Sequence, residues 1–216
     1  MTERPALLAR GPWPLDRIEC VWRDEHFEPG HDRHAAADDA ITALRDRGSP
    51  SHDGLAARLV GYAEQDGGLR LELQPLRWAL RLVPGDASGS VSTLCVIRDS
   101  EDRWLAGRRA AWLSSWAGRW ALGAGGAVDV GECPADTLLR ELTEEWSVTA
   151  ERAQGEALVR LPHGMFMLVG QAWLAPGAEV TPDDEHDDHA WWPPDPADWP
   201  PEADEPLRRM ATLLAA

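Results

Sequence analysis

Between Gly126 and Val148 the chain reads GAVDVGECPADTLLRELTEEWSV, and three of its glutamates stand at spacings suited to chemistry. On a helix, Glu141 precedes Glu144 by three residues and Glu145 by four, which puts the carboxylates on one face. Three carboxylates side by side repel one another, and a cation seated on them relieves that repulsion. Hard oxygen donors in this number suit Mg²⁺ or Mn²⁺ rather than zinc. Arg140 is placed to pair with one carboxylate and hold its rotamer. Just upstream, Leu122-Gly123-Ala124-Gly125-Gly126-Ala127 carries too little side chain to block a ligand or metal, which leaves its backbone groups available. The competing reading is a solvated acidic helix face, the ordinary explanation for a Glu-Glu pair in an acidic chain.

The wider pattern separates the two readings. Gly126 is followed by Glu132, then by Arg140-Glu141, the aliphatic Leu142, Glu144-Glu145 and Val148. This spacing resembles the signature of the Nudix hydrolase superfamily. One signature position departs from it: the final glycine is Ser147 here. That residue is expected just past the helix in a left-handed conformation, where a serine costs about 1 kcal/mol. Many relatives have Trp-x-Leu-Pro-Gly-Gly before the box. This chain has Trp120-Ala121-Leu122-Gly123-Ala124-Gly125-Gly126, without the proline and one residue longer.

The resemblance runs from about residue 88 to the end of the chain. It implies an α/β (α+β) fold, a Nudix-like α/β/α sandwich around a mixed β-sheet. It implies a hydrolase that cleaves, with water, a diphosphate joining a nucleoside to another moiety X. It implies Mg²⁺ or Mn²⁺ held by Glu141, Glu144, Glu145 and the Gly125 carbonyl. Glu144 is the favoured base, with Glu141 and Arg140 beside it in the catalytic set. Glu132 is expected to pair with Arg140 and brace the helix, and Gly126 to support the box.

Substrate selection is expected outside the box. Arg108, Arg109 and Arg119 lie just before it, and arginine grips phosphate bidentately. Their other use is to offset the acidic surface. Trp120, with Trp112 and Trp116, is open to stacking on a base or sugar, although core packing is the ordinary work of any one tryptophan among 12. Glu185, in the acidic run 183–189, matches by position a carboxylate that some relatives use for substrate or metal; a solvated loop is the alternative. His26, His31 and His34 fit no standard zinc spacing.

These residues need elements to hold them. Residues 91–98 read as a buried strand and 104–108 as its hairpin partner. A glycine-rich loop over 118–131 leads into a helix opened by Pro134, with Leu138, Leu139 and Leu142 as its apolar stripe. A strand over 165–174 follows, with His163-Gly164 in the turn before it. Then come an acidic loop over 181–189, a short strand beginning at Trp191-Trp192, and a closing helix over 206–214. Upstream, residues 1–85 form a small β-rich N-terminal extension. It holds a short apolar piece at 18–22, a helix over 35–47, and strands at 59–62 and 69–73 joined by Asp66-Gly67-Gly68. A third strand is expected at 78–83. The Pro- and Gly-rich stretch 84–90 separates this extension from a domain over 88–216. The layout resembles, more weakly, the extension of UDP-sugar-hydrolysing Nudix proteins. Its role is open between capping the substrate site, building a homodimer interface and supporting the core.

Composition narrows the partners. Twenty-one basic residues against 37 acidic ones give a net charge of −16, which repels a nucleic-acid backbone when no basic patch offsets it. Every Lys/Arg position is arginine, which excludes lysine Schiff bases and a P-loop lysine. No apolar run approaches a membrane span, and Met1-Thr2-Glu3-Arg4-Pro5 lacks a leader pattern. Cys20, Cys95 and Cys133 are odd in number and far apart, form no CxxC pair, and suit a reducing cytoplasm. The expected partner is a small-molecule nucleoside diphosphate derivative, with no nucleic acid and no membrane. Two other readings compete. An isopentenyl-diphosphate isomerase relative is disfavoured because no cysteine stands in the loop around Ala124, and Cys133 is displaced from it. A non-catalytic sensor of nucleotide-sugar or ADP-ribose is disfavoured by the intact box and the lack of a basic recognition helix.

Overall fold

A computed structural model describes residues 5–50, 53–113 and 115–215; residues 1–4, on which the leader reading bears, lie outside them. The larger sheet is built from β1 (Ala6–Pro14), β5 (Val91–Arg98), β6 (Trp104–Arg109), β7 (Trp120–Leu122), β8 (Arg152–Arg160), β9 (Phe166–Trp173) and β10 (His186–Trp192). Its order is β1-β8-β9-β5-β6-β10, with β7 hydrogen-bonded to β6. The β5–β9 pair is parallel and the other pairs are antiparallel.

Alternation along the strands decides which helix covers which face. In β9, Leu168 and Ala172 join the core under helix α2 (Pro134–Trp146), while Val169 joins the core under helix α3 (Glu205–Leu214). Helix α2 contributes Leu138, Leu142 and Trp146 to its side, against Val91, Cys95 and Ile97 of β5. Helix α3 contributes Leu207, Ala211 and Leu214, packed with Trp104, Trp192 and Trp199. The result is a mixed α+β sandwich, the architecture the box pattern implied.

A second sheet of three strands, β2 (Ile18–Trp22), β4 (Gly68–Arg77) and β3 (Leu55–Gln65), lies in that order. Asp66 and Gly67 both take positive φ, 50° and 72°, and close the β3–β4 hairpin as the Asp-Gly-Gly signal predicts. Helix α1 (His31–Asp46) covers this part with Ala37, Ile41 and Leu44 packed on Leu76, Ala79 and Leu80.

Several sequence expectations are corrected. Residues 78–83 are not a strand; Trp78–Leu82 forms a 3-10 helix. Its backbone donors find partners outside any ladder: Trp78 N–H donates to the Gly54 carbonyl, and Ala79 N–H to Asp53 Oδ1. Trp191 and Trp192 end a strand rather than begin one, because β10 already includes the polar residues from His186 onward. An edge strand with one solvated face tolerates such residues. Strands β1 and β8 have no clear sequence signal. Pro12 and Gly11 interrupt β1, which survives as an edge strand paired to β8. Within β8, a glutamate is buried: Glu156 accepts from Gln154 and Gln171, each at 2.7 Å.

The two sheets are stitched together. Strand β1, from the N-terminal part of the chain, belongs to the larger sheet. Ala57 N–H of β3 donates to the Val128 carbonyl, Leu59 N–H to the Gly89 carbonyl, and Trp22 Nε1 to the Glu132 carbonyl. Leu69, Leu71 and Leu73 of β4 share one core with Leu138 and Leu142 of α2. The unpaired cysteines expected from spacing are also corrected. Cys20 and Cys133, 113 positions apart, are joined as a disulfide with Cα atoms 5.7 Å apart, because β2 runs beside the start of α2. Cys95 is free and buried. Among the described residues no helix is long and apolar enough to cross a membrane.

Candidate active site

Helix α2 starts at Pro134, where a missing N–H costs nothing, and ends at Ser147 in the left-handed conformation (φ 55°, ψ 34°). Its apolar face locks onto β5, and that contact sets the rotation of the glutamates. Glu141 and Glu145 turn inward and are buried, whereas Glu144, one step round the helix, is exposed.

Arg140 organises the cluster. Its Nε and Nη2 donate to the two oxygens of Glu132 at 3.0 and 3.1 Å, the pairing expected from the box. Nη1 donates to Glu141 Oε1 and Glu144 Oε2, both at 2.8 Å, and Nη2 also reaches the Ala127 carbonyl at 3.1 Å. Thr137 Oγ1 donates to Glu132 Oε2 at 2.7 Å, fixing the base of the network. The glycine loop closes over it. Gly125 N–H donates to Glu145 Oε1 at 2.8 Å, and Trp146 Nε1 donates to the Gly123 carbonyl at 3.1 Å. A Cβ at Gly126 would collide with the Glu141 carboxyl, so this position requires glycine.

The electrostatics mark Glu141 and Glu145 as the costly pair. Burial pushes the Glu141 carboxyl up to about 7, although Arg140 opposes the shift. Burial raises Glu145 well above the usual carboxylate range, against the pull of the Gly125 amide, and Glu141 adds to the rise. Glu145 Oε2 is buried without a hydrogen-bond partner. Such an atom is a vacant donor to a cation, and the neighbouring carboxylates are hard oxygen donors of the kind Mg²⁺ and Mn²⁺ take. The residues therefore fit a divalent ion. Among the described residues, no group of three His, Cys, Asp or Glu is already gathered at ligating geometry, since Arg140 draws Glu141 and Glu144 to itself.

Sequence reasoning missed His186. Its ring is buried against Trp146, with centroids 4.5 Å apart, and its Nε2 lies 3.6 Å from Glu145 Oε2. That nitrogen also lacks a hydrogen-bond partner. A bulge at Asp187 puts His186 opposite Arg109 and turns it to the α2 face. Gly107 leaves room for the ring. Nothing in the acidic run singled out this histidine, because the bulge appears only when β10 pairs with β6.

The expected substrate residues divide between two faces. Arg109 and Glu185 come together on the α2 side at 3.4 Å, and Arg109 Nε is buried and unbonded. Burial raises the Glu185 carboxyl while Arg109 opposes the rise, and Glu185 in turn adds to the rise of Glu145. Arg108 alternates to the other face, opposite Trp120 of β7, and its Nε is likewise buried and unbonded. Trp120 packs on Trp192 with centroids 5.6 Å apart. Arg119 is drawn away from them: it pairs with Asp204 at the start of α3 and lies over Trp116, 4.5 Å from its centroid.

The family model described as the NUDIX domain matches residues 90–214. No curated protein matches the chain. Among solved structures, the chain is similar to the MutT protein from Methanosarcina mazei Go1, at 25% identity over 48% of this chain and 76% of that one, with a TM-score of 0.42. It is similar to the MutT NUDIX hydrolase from Burkholderia pseudomallei, at 23% identity over 58% and 97% of the two chains, with a TM-score of 0.46. It is also similar to the NUDIX domain of Shewanella oneidensis NrtR, a cocrystal structure with ADP ribose, at 18% identity over 59% and 88%, with a TM-score of 0.43. With more than half of its length matched by that one model and the box glutamates gathered on its helix, the chain belongs to the Nudix hydrolase superfamily.

Proposed function

We propose that the protein hydrolyses a nucleoside diphosphate linked to another moiety, with Mg²⁺ or Mn²⁺ as cofactor. One observation carries the reading: a buried, unbonded oxygen of Glu145 beside the buried Glu141 carboxyl, on the helix that bears the Nudix pattern. Burying two carboxyls side by side is unfavourable, and a divalent ion relieves it.

In this reading Glu141, Glu144 and Glu145, with the Gly125 carbonyl, hold the metal. When bound, a divalent ion supplies neutralisation of charge on the diphosphate oxygens and acidifies a water. Glu144 is exposed, so it can orient that water and accept its proton. Arg140, keyed to Glu132, braces the box and must share Glu141 and Glu144 with the cation. Arg108 and Arg109 each keep an unbonded Nε and serve as phosphate donors. Trp120 offers a half-buried ring for a base or sugar. Arg119 must leave Asp204 before it can reach a phosphate.

The test is a hydrolysis panel of nucleotide sugars, ADP-ribose, NADH, dinucleoside polyphosphates and nucleoside triphosphates, with Mg²⁺ or Mn²⁺. Turnover is expected on at least one member, lost on chelation, and lowered at least ~100-fold in Glu144→Gln and Glu145→Gln. Absence of turnover, with one panel member still bound, would overturn the hydrolase and favour a non-catalytic sensor.

A further inference from the structure

Several arginines near the box are matched to carboxylates: Arg77 to Asp38 and Asp53, Arg109 to Glu185, and Arg140 to three glutamates. Arg81 differs. It lies in the 3-10 helix Trp78–Leu82, outside the stretch matched by the family model. Its side chain leans over the Trp78 ring, 5.4 Å from the centroid, and its Nη2 donates to Ser92 Oγ at 2.5 Å. No other hydrogen bond and no ion pair holds it among the described residues. The guanidinium is half-buried, and none of its nitrogens is both sealed and unbonded, so the donors not spent on Ser92 keep some solvent access.

Ser92 locates that space. It sits in β5, bridged across to Ala127 of the glycine loop. Ala127 follows Gly126, which abuts the Glu141 carboxyl, and its carbonyl accepts from Arg140. Along β5, Ser92 alternates with Thr93 and shares the α3 face with Leu94, which packs with Trp120 and Met167 as a half-buried apolar strip. Arg81 thus stands where the glutamate cluster meets the floor that ends at Trp120. Protein crowded around it lowers its pKa to about 10, with Glu141 acting in the opposite sense, so it is charged at neutral pH. Burial, with Arg81 adding to it, lowers the pKa of His163 at the β8–β9 turn.

A guanidinium without a carboxylate, in a chain of net charge −16, beside carboxyls suited to a divalent ion, is a receptor for an anion. We infer that Arg81, held by Ser92, binds a phosphate of the substrate diphosphate, so that the N-terminal part of the chain completes the substrate site. The inference rests on the diphosphate-hydrolase reading for its ligand, but binding alone can test it.

Inorganic pyrophosphate with Mg²⁺ is the probe, titrated by calorimetry into the full-length wild type and into Arg81→Gln, Arg81→Lys and Ser92→Ala. Arg81→Gln is expected to weaken pyrophosphate binding at least ~10-fold, with Arg81→Lys between it and the wild type, because lysine keeps charge without the fork. On the hydrolysed substrate, the same variants should raise KM more than they lower kcat. In the wild type, pyrophosphate should shield Arg81 from an arginine-selective dicarbonyl reagent, read by peptide mass spectrometry; this arm stands even where a variant does not fold. Unchanged pyrophosphate affinity in folded Arg81→Gln, or modification of Arg81 indifferent to pyrophosphate, would overturn the inference and leave the hydrolase reading intact. Arg81-dependent pyrophosphate binding in a protein that turns over nothing would overturn the hydrolase and keep the assignment.

Discussion

Glu141 and Glu145 are tuned by burial, and burial has a sign that can be tested. In the metal-free protein Glu141 holds its proton up to about pH 7, while in the unfolded chain it releases it near 4.5, as an ordinary glutamate does. Between those values the folded state binds more protons than the unfolded state, so this residue makes stability fall as pH rises. Above about 7 both states are ionised and its contribution levels off. Glu141→Gln removes the proton and therefore this slope. In metal-free protein the variant should gain on the wild type by on the order of 2 kcal/mol between pH 4.5 and 8, measured as urea midpoints across pH. An unchanged difference across that range would refute the buried, raised carboxyl. The glutamates were legible as a cluster from their spacing alone. Which two are buried was not, because that depends on how Leu138 and Leu142 seat the helix on β5.

At the scale of the element, helix α2 carries its own defect. Ser147 stands at φ 55°, a conformation glycine adopts freely and a serine does not. It is exposed, so no packing compensates. Ser147→Gly should stabilise the protein by about 1 kcal/mol, or ~2–4 °C in Tm, with kcat unchanged. A lower Tm would mean that the serine earns its place through contacts outside the helix terminus. The helix itself was readable, from Pro134 at its start to the apolar stripe. Residues 78–83 were misread because Trp78, Leu80 and Leu82 mimic a strand's alternation. The competing interaction was local: Asp53 and Gly54 capture the backbone donors that a strand would have offered to a neighbour.

For the whole molecule, the N-terminal part is wired into the site. Strand β1 supplies an edge of the larger sheet, and β3 hydrogen-bonds to the box loop. The leucines of β4 complete the core beneath α2, and Cys20 is bonded to Cys133 at the helix start. Removing residues 1–85 strips one face of that core, and burial of each leucine contributes roughly 1.5–3 kcal/mol. Because whole domains are stable by only about 5–15 kcal/mol, the truncated chain should not fold cooperatively. Its thermal transition and near-ultraviolet circular dichroism are the measurements. A sharp transition with native tertiary signal would show that residues 88–216 stand alone.

The sequence by itself determined the helix and its cluster of glutamates, because both rest on spacings within a few turns of one segment; the Glu132–Arg140 brace came from the resemblance that those residues carry. The left-handed terminus at Ser147 was legible through the same resemblance, which has a glycine at that position. The tertiary structure alone decided the rest. His186 reaches Glu145 only through a bulge in β10, and Arg81 reaches Ser92 only once its 3-10 helix is packed under α1. Cys20 meets Cys133 only when β2 lies beside α2. These contacts join residues far apart in the chain, and local spacing holds no information about which distant segments the burial of apolar surface will press together.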